Sequence, residues 1–212
     1  DDASGKHLRN IRTPEEPKKG AFAGEKGQTL FITARTVVYT LQMSSGSSGV
    51  SSDSVTIPNT AKFTLSSPDV VEGGALPVEY TCDGASATLP LTWSGAPAGA
   101  KSFAVVMHHI ASPDDIHWYW VLYDIPVNVN SLPKNSAGTG TLGTNSVNGK
   151  TIYSPPCSKG PGEKVYTYTV YALSAQPQFS VPASQVNREA LLKAIQAITL
   201  ASAELHGTYS RK

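Results

Sequence analysis

The chain has 212 residues, a formal net charge of +1, 40% hydrophobic residues and 16% charged residues. It has no basic block of the kind nucleic-acid partners require, and no apolar run of the length that spans a membrane. With 18 glycines and 15 prolines, the composition favours many short strands and turns over a helical bundle.

The chain starts at Asp1 rather than Met, which predicts that an N-terminal segment is removed. Low charge, Ser/Thr/Gly richness and two cysteines fit an extracellular or periplasmic protein, with the cytoplasm left open.

Residues 1–27 are polar, contain two prolines and lack periodicity, so they read as a disordered arm. Lys6, Arg9, Arg12, Lys18 and Lys19 are interleaved with Asp1, Asp2, Glu15 and Glu16, the pattern of a solvated segment. Residues 28–43 are rich in Thr, Val, Ile and aromatics and predict one long strand or two short ones. The Ser/Gly run at 44–54 is a flexible connector. The expected organisation is an arm at 1–54 and a compact domain at 55–212. The arm's strand either folds back on its own sheet or completes the sheet of a protein partner or a second copy.

In the domain, Phe63–Ser66, Leu76–Cys82, Leu91–Trp93, Phe103–His109, His117–Ile125 and Tyr166–Leu173 are strand candidates, separated by Pro, Gly or Asp. A helix is expected from an N-cap at Asn187, with Leu191, Ile195, Ile198 and Leu205 on one face and Gly207 as the stop. The expected fold is mainly β, with a large antiparallel sheet, a smaller sheet and a C-terminal helix.

Chemistry-bearing residues concentrate between Lys101 and Pro126. Alternation along the second strand of this stretch predicts His117, Tyr119, Val121 and Tyr123 on one face, and Trp118, Trp120 and Leu122 on the other. His108 and His109, adjacent on a strand, should point to opposite faces. No close-spaced His/Cys set supplies the three or four converging ligands zinc needs, so no metal is expected. No nucleophile elbow is present, and Gly138–Gly143 lacks the Lys and following helix of a phosphate loop. No catalytic residue and no cofactor is assigned.

An ordered set of short motifs adds to this reading. Tyr80-Thr81-Cys82-Asp83-Gly84, Leu89-Pro90-Leu91, Trp93, Pro97 and Lys101-Ser102-Phe103-Ala104 come first. His117-Trp118, Tyr123-Asp124-Ile125-Pro126, Gly143-Thr144-Asn145, Tyr153–Cys157, Gly162–Leu173 and Gly207–Arg211 follow. Over residues 63–211 this order resembles the phosphatidylethanolamine-binding protein family, in its bacterial Raf-kinase-inhibitor-like branch.

The resemblance implies a large antiparallel sheet backed by a smaller one, and a small pocket for phosphate, acetate or a phospholipid headgroup. In the family that pocket uses a D-P-D-x-P loop, a His-Trp strand start, a G-x-H-R segment with a following Tyr, and C-terminal residues. Here His117-Trp118 and Tyr166 match. The acidic loop reads His109-Ile110-Ala111-Ser112-Pro113, and G-x-H-R reads Gly162-Glu163-Lys164-Val165.

The candidate anion pocket is therefore His109, His117, Lys164 and Tyr166. An ammonium and imidazoles would replace the carboxylates, favouring anions increasingly as pH falls through the imidazole range. Cys82 and Cys157 stand where the bacterial branch commonly carries cysteine, as a disulfide or as two free thiols. Three functional readings follow: a non-catalytic anion-binding module, a structural or interaction protein docking through its N-terminal strand, and an inhibitor of a kinase or protease.

Overall fold

In the computed structural model of the protein, the described residues are 19–23, 29–33, 38–42, 62–136, 139–158 and 162–211. The connector at 44–54, the first 18 residues of the expected arm and Gly138 lie outside them. The chain separates into two compact units, Asp1–Asn59 and Thr60–Lys212.

In the first unit, β1 (Lys19–Ala23), β2 (Thr29–Thr33) and β3 (Val38–Gln42) form an antiparallel sheet in that order. The stretch at 28–43 thus makes two short strands. Lys19–Ala23, read as part of a disordered arm, is a third strand. Its backbone groups pair with β2 from Lys19↔Thr33 to Ala23↔Thr29, and cross-strand pairing is invisible to local composition.

Among its described residues, the second unit holds two sheets and one α-helix. The smaller sheet is β4 (Thr64–Ser66), β6 (Leu91–Ser94) and β9 (Ser131–Leu132), in the order β4-β6-β9. The larger comprises β5 (Gly74–Ala75), β7 (Ser102–Ser112), β8 (Asp115–Pro126), β10 (Thr141–Leu142), β11 (Lys164–Leu173) and β12 (Thr199–Tyr209). Its order is β10-β8-β7-β11-β12-β5. It is antiparallel except at β12–β5, where Gly207↔Gly74 and Thr208↔Ala75 pair in parallel, so the sheet is mixed.

Phe103, Val105, Met107, Trp120, Leu122, Tyr166, Tyr168, Val170 and Leu205 fill the inner core with Trp93 and Leu91 of the smaller sheet. Ala104, Val106, Val121, Tyr123 and Leu173 face the other way and pack with Leu191 and Ile195 of helix α1 (Arg188–Ile195).

Three expectations about these elements are corrected. Leu76–Cys82 is not a strand. Val78–Tyr80 forms a 3-10 turn after Pro77, and Thr81 caps it by donating its backbone N–H and its hydroxyl to the Val78 carbonyl.

The helix starts as expected, with Asn187 Oδ1 accepting from Ala190 N at 2.8 Å. It ends early, because Ile198 N and Thr199 Oγ1 both donate to the Ile195 carbonyl. The segment that follows alternates, placing Ala201, Ala203, Leu205 and Tyr209 on the inner core. It pairs with β11 along nearly its whole length. Leu205 shares helical spacing with Leu191 only by coincidence of periods, and the helix precedes the last strand rather than ending the chain.

The third correction is on β8. Met107 pairs with Trp120 but His108 with Trp118, so Tyr119 is an extra residue in the ladder. Tyr119 and Trp120 consequently both join the inner core, while Trp118 packs toward the helix. The uniform alternation expected from the sequence is broken at this bulge.

Candidate functional site

The paired ends of β7, β8, β11 and β12 bring the candidate residues to one end of the large sheet. His109 is 8% exposed, and its ring stands 5.6 Å from that of Tyr166. His109 Nδ1 lies 2.8 Å from the Val165 carbonyl oxygen. Tyr166 is fully buried and meets the Tyr119 ring edge-on at 5.4 Å. Its hydroxyl has no partner at hydrogen-bond geometry, although Tyr119 is close enough to act on its ionisation. Burial pushes both phenols up from their ordinary value, so both remain O–H donors throughout the physiological range.

Lys164 stands two residues before Tyr166 on the same strand, in register with Tyr209. Tyr209 donates its hydroxyl to Asp83 Oδ2, and Arg211 pairs with Asp83 Oδ1. Asp83 is fixed by its neighbour, because Cys82 is bonded to Cys157 across a separation of 75 residues. Cys82 N also donates to the Pro156 carbonyl at 2.9 Å, and Arg211 reaches Cys157 Sγ at 3.8 Å. Gly84 permits the tight turn: a Cβ there would stand 2.2 Å from the Val78 carbonyl oxygen.

His117 pairs in register with His109, but its Nε2 turns to Asp115 Oδ1 at 3.1 Å. Its side chain is 45% exposed. The register therefore brings His109, His117, Lys164 and Tyr166 to one end of the sheet, and Tyr119 adds a ring against Tyr166. Tyr119, Asp83, Tyr209 and Arg211 were missing from the sequence-derived set. Three of them belong to motifs already visible at Tyr80–Gly84 and Gly207–Arg211. Tyr119 is signalled only by the unalternated Trp118-Tyr119-Trp120 run.

His108 points to the other face, as two histidines adjacent on a strand must. Among the described residues, no group of three His, Cys, Asp or Glu side chains could hold a metal. No helix among them is long and apolar enough to cross a membrane.

Among the described residues, a larger mixed sheet, a smaller antiparallel sheet and a single α-helix define a mainly β class of protein. The phosphatidylethanolamine-binding protein family model matches residues 66–210. The chain belongs to that family. It is 33% identical over 143 residues to a UPF0098 protein of Methanothermobacter thermautotrophicus, covering 65% of this chain and 92% of that one. It is 30% identical over 156 residues to a Mycobacterium tuberculosis protein that carries the name lipoprotein LppC, covering 72% of this chain and 74% of that one.

Two crystal structures share the fold. One is a phosphatidylethanolamine-binding-protein homologue from Chlamydia trachomatis, with TM-score 0.65 and 28% identity, covering 71% of this chain and 99% of that one. The other is YbcL of E. coli, described as a member of the mammalian family, with TM-score 0.64 and 26% identity, covering 72% of this chain and 100% of that one.

Proposed function

We propose that the protein is a non-catalytic module that binds a small oxyanion, of the phosphate or phosphorylated-headgroup type, at the sheet end formed by His109, Tyr119, Lys164, Tyr166 and Tyr209. The observation that carries this reading is the buried Tyr166 hydroxyl, which among the described residues only the Tyr119 hydroxyl approaches, set between the rings of His109 and Tyr119. A buried O–H donor calls for an acceptor, and Lys164 two residues away supplies positive charge for one. A phosphate oxygen satisfies both demands. The acidic loop of the family reads His109-Ile110-Ala111-Ser112-Pro113 here. Both acidic positions of that motif are thus non-acidic, Asp115 just beyond it is engaged with His117, and Lys164 favours an anion, so the phosphate rather than the amine is taken as the group recognised.

The disulfide and the relative named as a lipoprotein support an oxidising location outside the cytoplasm. Isothermal calorimetry with phosphate and with phosphoethanolamine at pH 5.5 and 7.5 tests the reading. Comparable affinity for both ligands, stronger at pH 5.5 and lost in Lys164→Gln, is the expected result. Heat from neither ligand at either pH would refute it.

A second reading is favoured by the N-terminal unit. Its strands β1, β2 and β3 form a sheet of their own, and a three-stranded meander offers two edges for pairing with a protein partner or another copy. Deleting residues 1–54 and comparing the solution mass of the two forms decides it: a mass that drops by more than the deleted segment supports assembly through this unit.

A further inference from the structure

Two donors near the end of the chain already hold an oxyanion, and that oxyanion is a side chain of the protein itself. Tyr209 ends β12 and packs against the inner core that contains Tyr166. It stands in register with Lys164, as Gly207 does with Tyr166. Tyr209 donates its hydroxyl to Asp83 Oδ2, and Arg211 Nη2 meets Asp83 Oδ1 at 2.5 Å. One carboxylate therefore spans both donors, with one oxygen on each. Phosphate fits the same pair, because a guanidinium and a hydroxyl recognise two oxygens of either group.

Asp83 is delivered to this place by its backbone. Cys82, one residue before it, is bonded to Cys157 and donates its N–H to the Pro156 carbonyl at 2.9 Å. Asp83 N donates to Thr81 Oγ1 at 3.3 Å. Arg211 is steadied from the same side, with Nη1 3.8 Å from Cys157 Sγ. The carboxylate is thus a tethered ligand, and a group tethered within reach acts at roughly millimolar effective concentration or more.

The contact is open to a competitor from solution. Side-chain exposure is 47% for Arg211 and 27% for Asp83. An ion pair this open to water is weakly held, so a free oxyanion can take the place of Asp83 while the displaced carboxylate turns to solvent.

We propose that Asp83 is a built-in competitor at the oxyanion site, and that Tyr209 and Arg211 become ligands of a bound phosphate when it displaces Asp83. This rests on the oxyanion reading of the sheet end given above. It adds Arg211 to the ligands and makes Asp83 the residue that sets their affinity.

Calorimetry with inorganic phosphate at pH 7.5 compares the full chain, Asp83→Asn, Arg211→Gln and the two combined. Asp83→Asn, which keeps the size of the side chain, should bind phosphate roughly tenfold or more tightly, the scale of removing a tethered competitor. The same change in an Arg211→Gln background should give no gain. A gain that survives there comes from lost negative charge alone and would overturn the proposal, as would unchanged affinity in Asp83→Asn. In the unaltered protein, NMR should show the Tyr209 ring and the Arg211 Nε–H shifting on one saturation curve with phosphate, a readout that needs no variant to fold. Bound phosphate that moves neither signal would also overturn it.

The two readings fail separately. Binding that depends on Lys164 but is indifferent to Asp83 keeps the first and ends this one. Binding by Asp83→Asn that requires Arg211, beside a silent unaltered protein, does the reverse. Phosphate silent in all four forms ends both.

Discussion

His109 donates its Nδ1–H to the Val165 carbonyl, 2.8 Å away. A carbonyl only accepts, so this contact assigns the proton of the neutral ring to Nδ1 and leaves the lone pair on Nε2. The contact ties the end of β7 to β11 one residue before Tyr166. Nitrogen-15 NMR of the imidazole at pH 8 should show the Nδ1–H tautomer. His109→Ala should cost about 1–2 kcal/mol in urea unfolding, the scale of a half-buried carbonyl losing its donor. A variant as stable as wild type would show that the bond holds nothing in place.

Cys82 and Cys157 close a loop spanning 75 residues of chain. Loop-closure entropy makes such a bond worth about 4 kcal/mol against the unfolded chain. Unfolding in guanidinium with and without a dithiol reductant measures this directly. Because Asp83 follows Cys82 and holds both Tyr209 and Arg211, reduction should also speed amide exchange at residues 209–211. A drop in stability without faster exchange there would separate the disulfide from that anchor.

His108 predicts a pH dependence with a definite sign. Burial, followed by the charges of Arg188, His109 and His206, lowers its pKa from 6.5 to about 4. Between those values the unfolded chain binds a proton that the folded protein does not, so stability rises with pH across this window. The contribution is complete above pH 6.5 and is lost as pH falls toward 4. The loss is on the order of 2–3 kcal/mol, taking about 1.4 kcal/mol per unit and some relief from hydration. Urea unfolding at pH 4.5, 5.5 and 7 should show a steep slope in wild type and a shallower one in His108→Gln. Equal slopes would mean that other groups, such as Glu72, set the acid response.

Much of this architecture is legible in residue order. Phe103–His109 and Tyr166–Leu173 are apolar runs bounded by turn residues, and buried strands of the large sheet are built from such runs. The Asn187 cap is equally plain. What escaped were features decided by partners distant in sequence. Residues 199–209 became a strand because β11 offered a full ladder, whereas the local spacing of Leu191, Ile195 and Leu205 fits a helix as well. The bulge at Tyr119 depends on the mismatch between β7 and β8, and it sets Tyr119 beside Tyr166 while keeping His117 in register with His109. The Asp83 clamp shows the same limit, since Tyr209 and Arg211 meet it across more than a hundred residues.

Gly207 and Gly84 test how closely the site end is packed. Gly207 pairs with Tyr166 on one side and Gly74 on the other, and a Cβ there would stand 2.7 Å from Leu76 Cδ2. The obstruction is a side-chain tip, so Gly207→Ala should cost about 1–2 kcal/mol, and Leu76→Val in the same chain should recover part of the loss. Gly84 differs in kind, because its Cβ would meet the Val78 backbone, whose carbonyl also accepts from Thr81. Gly84→Ala should therefore cost more, about 3 kcal/mol, and no side-chain truncation nearby should rescue it. It should also displace Cys82 and Asp83, weakening the hold on Tyr209 and Arg211. Thermal melts of the three variants and the Gly207→Ala/Leu76→Val pair give the ordering. A Gly84→Ala protein as stable as Gly207→Ala would mean that the turn carrying the disulfide and Asp83 yields easily, and the sheet end is then less firmly built than its contacts imply.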